Sequence, residues 1–164
     1  MFHMVVEVKM NKIMKNMIMA IIGASLYLLV EIMFRNYSFR LSAVMSAIAF
    51  VVGSNLNNKF SWKMDLLLQG GIISVLITGL EAIIGNLDYY FLHQNMWDYS
   101  SLPMSALNGK ICIPFMIIWF LFGILIVFIG DAIEYYWFHD NDRPEYWIFG
   151  KRIWQMPIRK CDLH

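Results

Sequence analysis

The run Ile111 to Gly130, ICIPFMIIWFLFGILIVFIG, holds twenty residues without one charge. As an α-helix it is about 30 Å long, the thickness of the hydrocarbon core of a bilayer. Such a surface predicts a membrane span, and every other element must then satisfy its backbone polar groups in or beside lipid. Composition agrees: 59% of the 164 residues are hydrophobic and 15% charged, with a mean hydropathy of +0.55, more apolar than a soluble domain of this size can bury.

Three further segments recur at similar spacing. Met17 to Phe34 is apolar except for Ser25 and Glu31, Leu41 to Leu56 is short and rich in small residues, and Met64 to Ile84 carries Gln69 and Glu81. The expectation is an all-α, polytopic membrane protein. Its four-span domain covers 1–134, with spans at about 17–34, 41–56, 64–84 and 111–130, and residues 135–164 form an interfacial tail. A cleaved signal peptide is the alternative for the first segment, since Lys9, Lys12 and Lys15 give it a basic start. It lacks a small-x-small cleavage site followed by a polar mature start.

With the N-terminus in the cytoplasm, the inner segments hold Lys9, Lys12, Lys15, Lys59, Lys63, Arg143, Lys151, Arg152, Arg159 and Lys160, and the outer ones only Arg35, Arg40 and Lys110. Ten against three follows the positive-inside rule and predicts two cytoplasmic termini. A net charge of +1 without a basic, aromatic-interleaved patch points away from nucleic acid. Cys112 and Cys161 fall on opposite sides in this topology, so no disulfide is expected.

Two acids lie within spans, where a charge near the bilayer centre costs at least ~2.5 kcal/mol. Glu31 precedes Arg35 by four residues, which puts the two on one helix face as an ion pair. Glu81 has no such neighbour, so its partner is expected on another element: Arg35, Arg40, or the amides and hydroxyls of the outer loop. Each acid reads either as a structural carboxyl or as the lining of a cavity or path.

The loop from Gly85 to Lys110 contains Tyr89, Tyr90, Phe91, Trp97 and Tyr99, residue types that favour headgroup depth. Asp98 and Ser100 can organise a turn, Pro103 stops regular structure, and Asn108 with Gly109 supplies a second turn. This aromatic outer loop reads as a lid over the helices, structural or ligand-contacting. His93 is a lone imidazole, more often a surface residue than a ligand.

In the second span Ser42, Ser46, Ala49 and Gly53 share one face, suited to close helix packing within the unit or across a dimer. After the last span, aromatic residues alternate with charges before a basic end, which suits anionic lipid or a cytoplasmic partner. His139, Asp140 and Asp142 have no diagnostic metal spacing. P-loop, nucleophile-elbow and His-Glu-x-x-His motifs are absent, so no catalytic, cofactor or metal site is assigned. The spans are too unlike for an internal repeat, and Gly70, Gly71, Gly79 and Gly85 leave room for a discontinuous third helix.

WDYSSLP followed by NGKIC, at the start of a long apolar span containing Trp119, resembles a bacterial family of integral membrane proteins, the ABC-transporter type IV permeases. The resemblance extends through Gly23, Leu26, Tyr27, Glu31 and Arg35, through Phe50, Gly53 and Asn57, through Thr78, Glu81 and Gly85, and through Asp131, Phe138, Pro144 and Tyr146. The chain departs from that pattern at Asn36, Ser105 and Glu134, and is one residue longer between Pro103 and Gly109. The resemblance implies a membrane subunit in the bacterial cytoplasmic membrane, without naming a substrate.

Three readings follow. A permease-like subunit would self-assemble or join a membrane complex, recruit a cytoplasmic ATPase through Lys59, Lys63 and the tail, and use Glu31, Arg35, Glu81 and Asp98 as an outer vestibule. A scaffold, sensor or accessory subunit would use the same acids structurally. A lipid-acting enzyme would need Glu81 or Asp98 without any supporting constellation.

Overall fold

Asn11 accepts the Ile13 N–H at 3.1 Å and starts α1, Lys12–Arg35, in the computed structural model, which describes residues 10–139, 142–159 and 162. Lys9, Asp140, Lys160 and Cys161 lie outside the described residues. Asn36 enters the left-handed region at φ 62° and ends α1, a conformation that asparagine tolerates better than most residues. After four non-helical residues, 36–39, the chain turns back as α2, Arg40–Ser54, and a short α3, Leu56–Lys59, follows. Asp65 caps α4, Leu66–Leu87, by accepting the Leu67 N–H at 2.9 Å. A π-helical turn, Asp88–Leu92, extends α4 into what the sequence reads as loop. The last long helix is α5, Ile113–Tyr136, with Pro114 in its first turn, where a missing N–H costs nothing.

Three of these helical segments, Lys12–Arg35, Leu66–Leu92 and Ile113–Tyr136, are long and apolar enough to cross a bilayer. The expected second span is the exception: α2 has 15 residues, about 22 Å at helical rise and shorter than the hydrocarbon core. Its shortness has a local cause, because the chain leaves helix between Arg35 and Arg40 and again at Asn55. The all-α expectation also needs correction. Ser105–Ala106 (β1) pairs with Ile111–Cys112 (β2), and Glu145–Ile148 (β3) pairs antiparallel with Lys151–Gln155 (β4). The 134–135 boundary falls inside α5, and the tail folds back as the β3–β4 hairpin. Phe149 and Gly150, at φ 49° and 73°, make its tight turn with both residues left-handed, the hairpin-compatible hand.

Burial is inverted relative to a soluble domain. Met33 and Phe34 are 83% and 87% exposed, whereas Glu31, Gln69, Glu81 and Asp131 are buried. This is the pattern of helices that face lipid outward and satisfy polar groups inward.

Small residues permit the helix crossings. A Cβ on Gly23 would stand 2.3 Å from the Phe50 Cβ, joining α1 to α2, and one on Gly130 would stand 2.5 Å from the Ser54 Cβ, joining α5 to α2. Gly123 faces Gly70 so closely that a Cβ there would lie 2.8 Å from the Gly70 carbonyl oxygen. Ser74 adds a hydrogen bond from its hydroxyl to the Met116 carbonyl at 2.7 Å across the α4–α5 contact. Of the small-residue face in α2, Ser42, Ala49 and Gly53 are buried, and Gly53 packs against Ile126 and Ile73 of this same chain. The glycines do not interrupt α4, and Gly71 and Gly79 face open space.

Candidate functional site

A cavity of about 710 Å³ lies among α1, α2, α4 and α5. Its polar end is where α1 and α4 finish and α5 begins, near the loop that joins α4 to α5. Its apolar end is lined by Gly23, Ala49, Phe50, Leu125 and Ile129. Glu31, Arg35, Glu81, Trp97 and Tyr99 all line it, so five of the residues singled out from the sequence meet here.

Glu31 and Arg35 form the expected ion pair, and the Ser38 hydroxyl donates to the other carboxylate oxygen. Arg35 also donates to the Met96 carbonyl at 3.1 Å and lies over the Tyr37 and Phe39 rings, 5.2 and 5.5 Å from their centroids, contacts that hold its planar head in place. Helix spacing identifies the Glu31–Arg35 pair, whereas Ser38 and Met96 reach it only through the fold.

Glu81 is 4% exposed and accepts two hydrogen bonds, from the Tyr99 hydroxyl and from the Trp119 indole N–H, each at 2.9 Å. An outer-loop hydroxyl is among the partners expected; the indole, 38 residues away in sequence, is not. Tyr99 stacks on Phe115 with centroids 4.5 Å apart, and Trp119 lies 6.3 Å from Tyr27, so aromatic rings surround the carboxyl. Tyr99 therefore faces inward and not toward headgroups, while Tyr89, Tyr90 and Phe91 are exposed.

The cover over this end is built by a residue that sequence reasoning missed. Asp88, 1% exposed, accepts the N–H groups of Gln94 and Met96 at 2.8 and 2.9 Å. Those bonds turn the chain back over α4, where the Trp97 indole donates to the Lys110 carbonyl at 3.3 Å. An acid followed by a helix end was the available signal, but its targets lie six and eight residues on.

Asp98, Ser100 and Asn108 stand outside the cavity. The Asp98 carboxylate accepts the Ser100 N–H at 2.9 Å in an exposed turn, and Asn108 takes the left-handed conformation at φ 55° beside Gly109. The Ser100 backbone N–H, followed by its hydroxyl, holds the Asp98 carboxyl below its ordinary range. A carboxyl lowered in the folded chain supports the fold above its unfolded value of about 3.9 and loses that support as pH falls through the folded value. Replacing Asp98 by Asn should therefore alter loop order, read by hydrogen exchange at Ser100, at neutral pH but not once the pH has fallen below the folded value. Equal exchange in both chains at neutral pH would refute this role.

Asp131 belongs to the opposite end. It is 1% exposed, and one of its oxygens accepts from the Asn57 amide at 2.8 Å and from the Tyr146 hydroxyl at 3.1 Å. Its other oxygen and the side-chain oxygen Oδ1 of Asn57 have no hydrogen-bond partner. Among the described residues no group of three or more His, Cys, Asp or Glu could hold a metal ion.

Comparison with known proteins adds one finding. The model of a family described as "Putative ABC-transporter type IV" matches residues 4–150. No curated protein and no solved structure matches the chain.

Proposed function

We propose, from the premise that the chain belongs to the ABC-transporter type IV family, that it is the membrane-embedded, ligand-binding subunit of a transport assembly. The observation that carries this reading is the cavity itself: about 710 Å³, apolar along most of its length, with Glu81 at its polar end. That volume falls in the range of about 300–1,000 Å³ typical of pockets for small ligands. A purely structural carboxyl would need no such space beside it.

In this reading α2 is a fourth, short crossing, and the protein lies in a bacterial cytoplasmic membrane with both termini inside. The end carrying α3 and the β3–β4 hairpin then faces the cytoplasm, with Lys59, Lys63, Lys151 and Arg152 exposed. At the other end Arg35 is paired, Lys110 is buried and Arg40 alone of the three is exposed. This asymmetry favours the orientation by the positive-inside rule. The chain acts by binding, and a cytoplasmic ATPase supplies the energy at the Lys59 and Lys63 face.

Intact-mass analysis of the tagged protein, purified in mild detergent at native expression, tests the assembly. The expected result is a co-purifying nucleotide-hydrolysing subunit whose recovery falls severalfold when Lys59 and Lys63 are both changed to Glu. A homo-oligomer alone, or a partner without nucleotide hydrolysis, would return the chain to the scaffold and accessory reading. The exposed apolar face of α1, with Ile13, Met17 and Ile21 each at least 60% exposed, leaves room for either lipid or a neighbouring subunit.

A further inference from the structure

Three charged side chains line the cavity: Glu31, Glu81 and Arg35. Arg35 is spent on Glu31. Among the described residues no lysine, arginine or histidine lies within salt-bridge distance of Glu81, whose two bonds come from a phenol and an indole. Two carboxyls against one guanidinium leave the site one positive charge short. A lone carboxylate beside apolar walls is costly unless a cation or a proton meets it.

The surroundings of Glu81 narrow the choice. Tyr27, Tyr99, Phe115 and Trp119 form a connected aromatic group around it. Aromatic faces beside a carboxyl form a site for an organic ammonium, which gains from ring quadrupoles and loses little hydration. Ser42, 2% exposed, lines the same cavity with a hydroxyl that has no hydrogen-bond partner. Away from this end the walls are apolar, supplied by Leu26 of α1, by Leu125 and Ile129 of α5, and by the Phe50 and Phe122 rings.

We propose that the cavity binds a single-chain cationic amphiphile, its ammonium head against Glu81 and its aliphatic tail in the groove between α1 and α5. This rests on reading the cavity as the ligand site of the transport subunit, and it names the class of ligand. Charge selects the head, because a carboxylate head would meet Glu81 unfavourably. The tail selects by burial, at roughly 0.8 kcal/mol per methylene removed from water.

Equilibrium binding of radiolabelled dodecyltrimethylammonium to the full chain in phosphatidylcholine nanodiscs tests this, with labelled dodecanol as the uncharged probe of equal chain length. Saturable binding of one cation per chain is expected, about tenfold or more tighter than the alcohol. Glu81→Gln should remove that preference. Leu125→Trp, at a half-exposed position lining the groove, should weaken both probes by filling the space of the tail. Equal affinity for alcohol and cation would overturn the proposal and identify a neutral apolar site. Undiminished cation binding in folded Leu125→Trp protein would also overturn it, as bulk partitioning, even if Glu81→Gln did not fold. Binding is read without transport, so failure of ATP-driven accumulation in proteoliposomes would count against the transport reading alone.

Discussion

Replacing Asp131 by Ala is expected to lower stability by about 2–4 kcal/mol, whereas Asp131→Asn should stay within about 1 kcal/mol of the parent. The alanine leaves two buried donors, the Asn57 amide and the Tyr146 hydroxyl, without their acceptor. Each orphaned donor costs roughly 1–3 kcal/mol, moderated where the unfolded chain also finds partners in the membrane. Asparagine keeps an acceptor for both and places an amide where the second Asp131 oxygen has no partner. Unfolding in mild detergent with added denaturant measures the difference. An alanine variant as stable as the parent would show that the Asn57–Asp131–Tyr146 group holds nothing together.

Gly123→Ala is the second large effect, a loss of about 1–3 kcal/mol from overpacking. The new Cβ would lie 2.8 Å from the Gly70 carbonyl oxygen and 3.0 Å from the Ile73 Cβ. The first obstacle is backbone, so α4 and α5 must separate, and a larger side chain such as Leu should prevent assembly. Gly79→Ala is the matched control. Nothing lies within 4 Å of a Cβ at Gly79, so the helix should gain up to about 1 kcal/mol from the better helix former. If the two substitutions cost the same, glycine content rather than close approach would explain α4.

The features legible in the sequence are those whose cause is local. Ile111 to Gly130 announces its helix by length and lack of charge, and Glu31 with Arg35 declares a pair by spacing. The Asp98 turn and the left-handed Asn108–Gly109 step likewise follow from residue type. What escaped depends on distant chain segments. Trp119 joins Glu81 only because the Gly70–Gly123 approach sets α5 against α4. Asp88 was hidden in an apolar aromatic stretch, and the extension of α4 past Gly85 was hidden because glycine is tolerated in a membrane helix. The hairpin was hardest to see: its strands are four and five residues long, and Phe-Gly is a weaker turn signal than Asn-Gly. Four spans were expected, yet among the described residues only three helices reach full crossing length, because two asparagines, Asn36 and Asn55, bracket α2 more tightly than hydropathy alone suggests.

The β3–β4 hairpin grips two helices at once. Phe149 donates its N–H to Asp65 at 2.6 Å, at the start of α4, and Tyr146 reaches Asp131 near the end of α5. The far portions of those same helices carry Glu81 and Trp119, which meet at 2.9 Å. The hairpin thus works as the handle of a pair of tongs whose jaws hold the carboxyl.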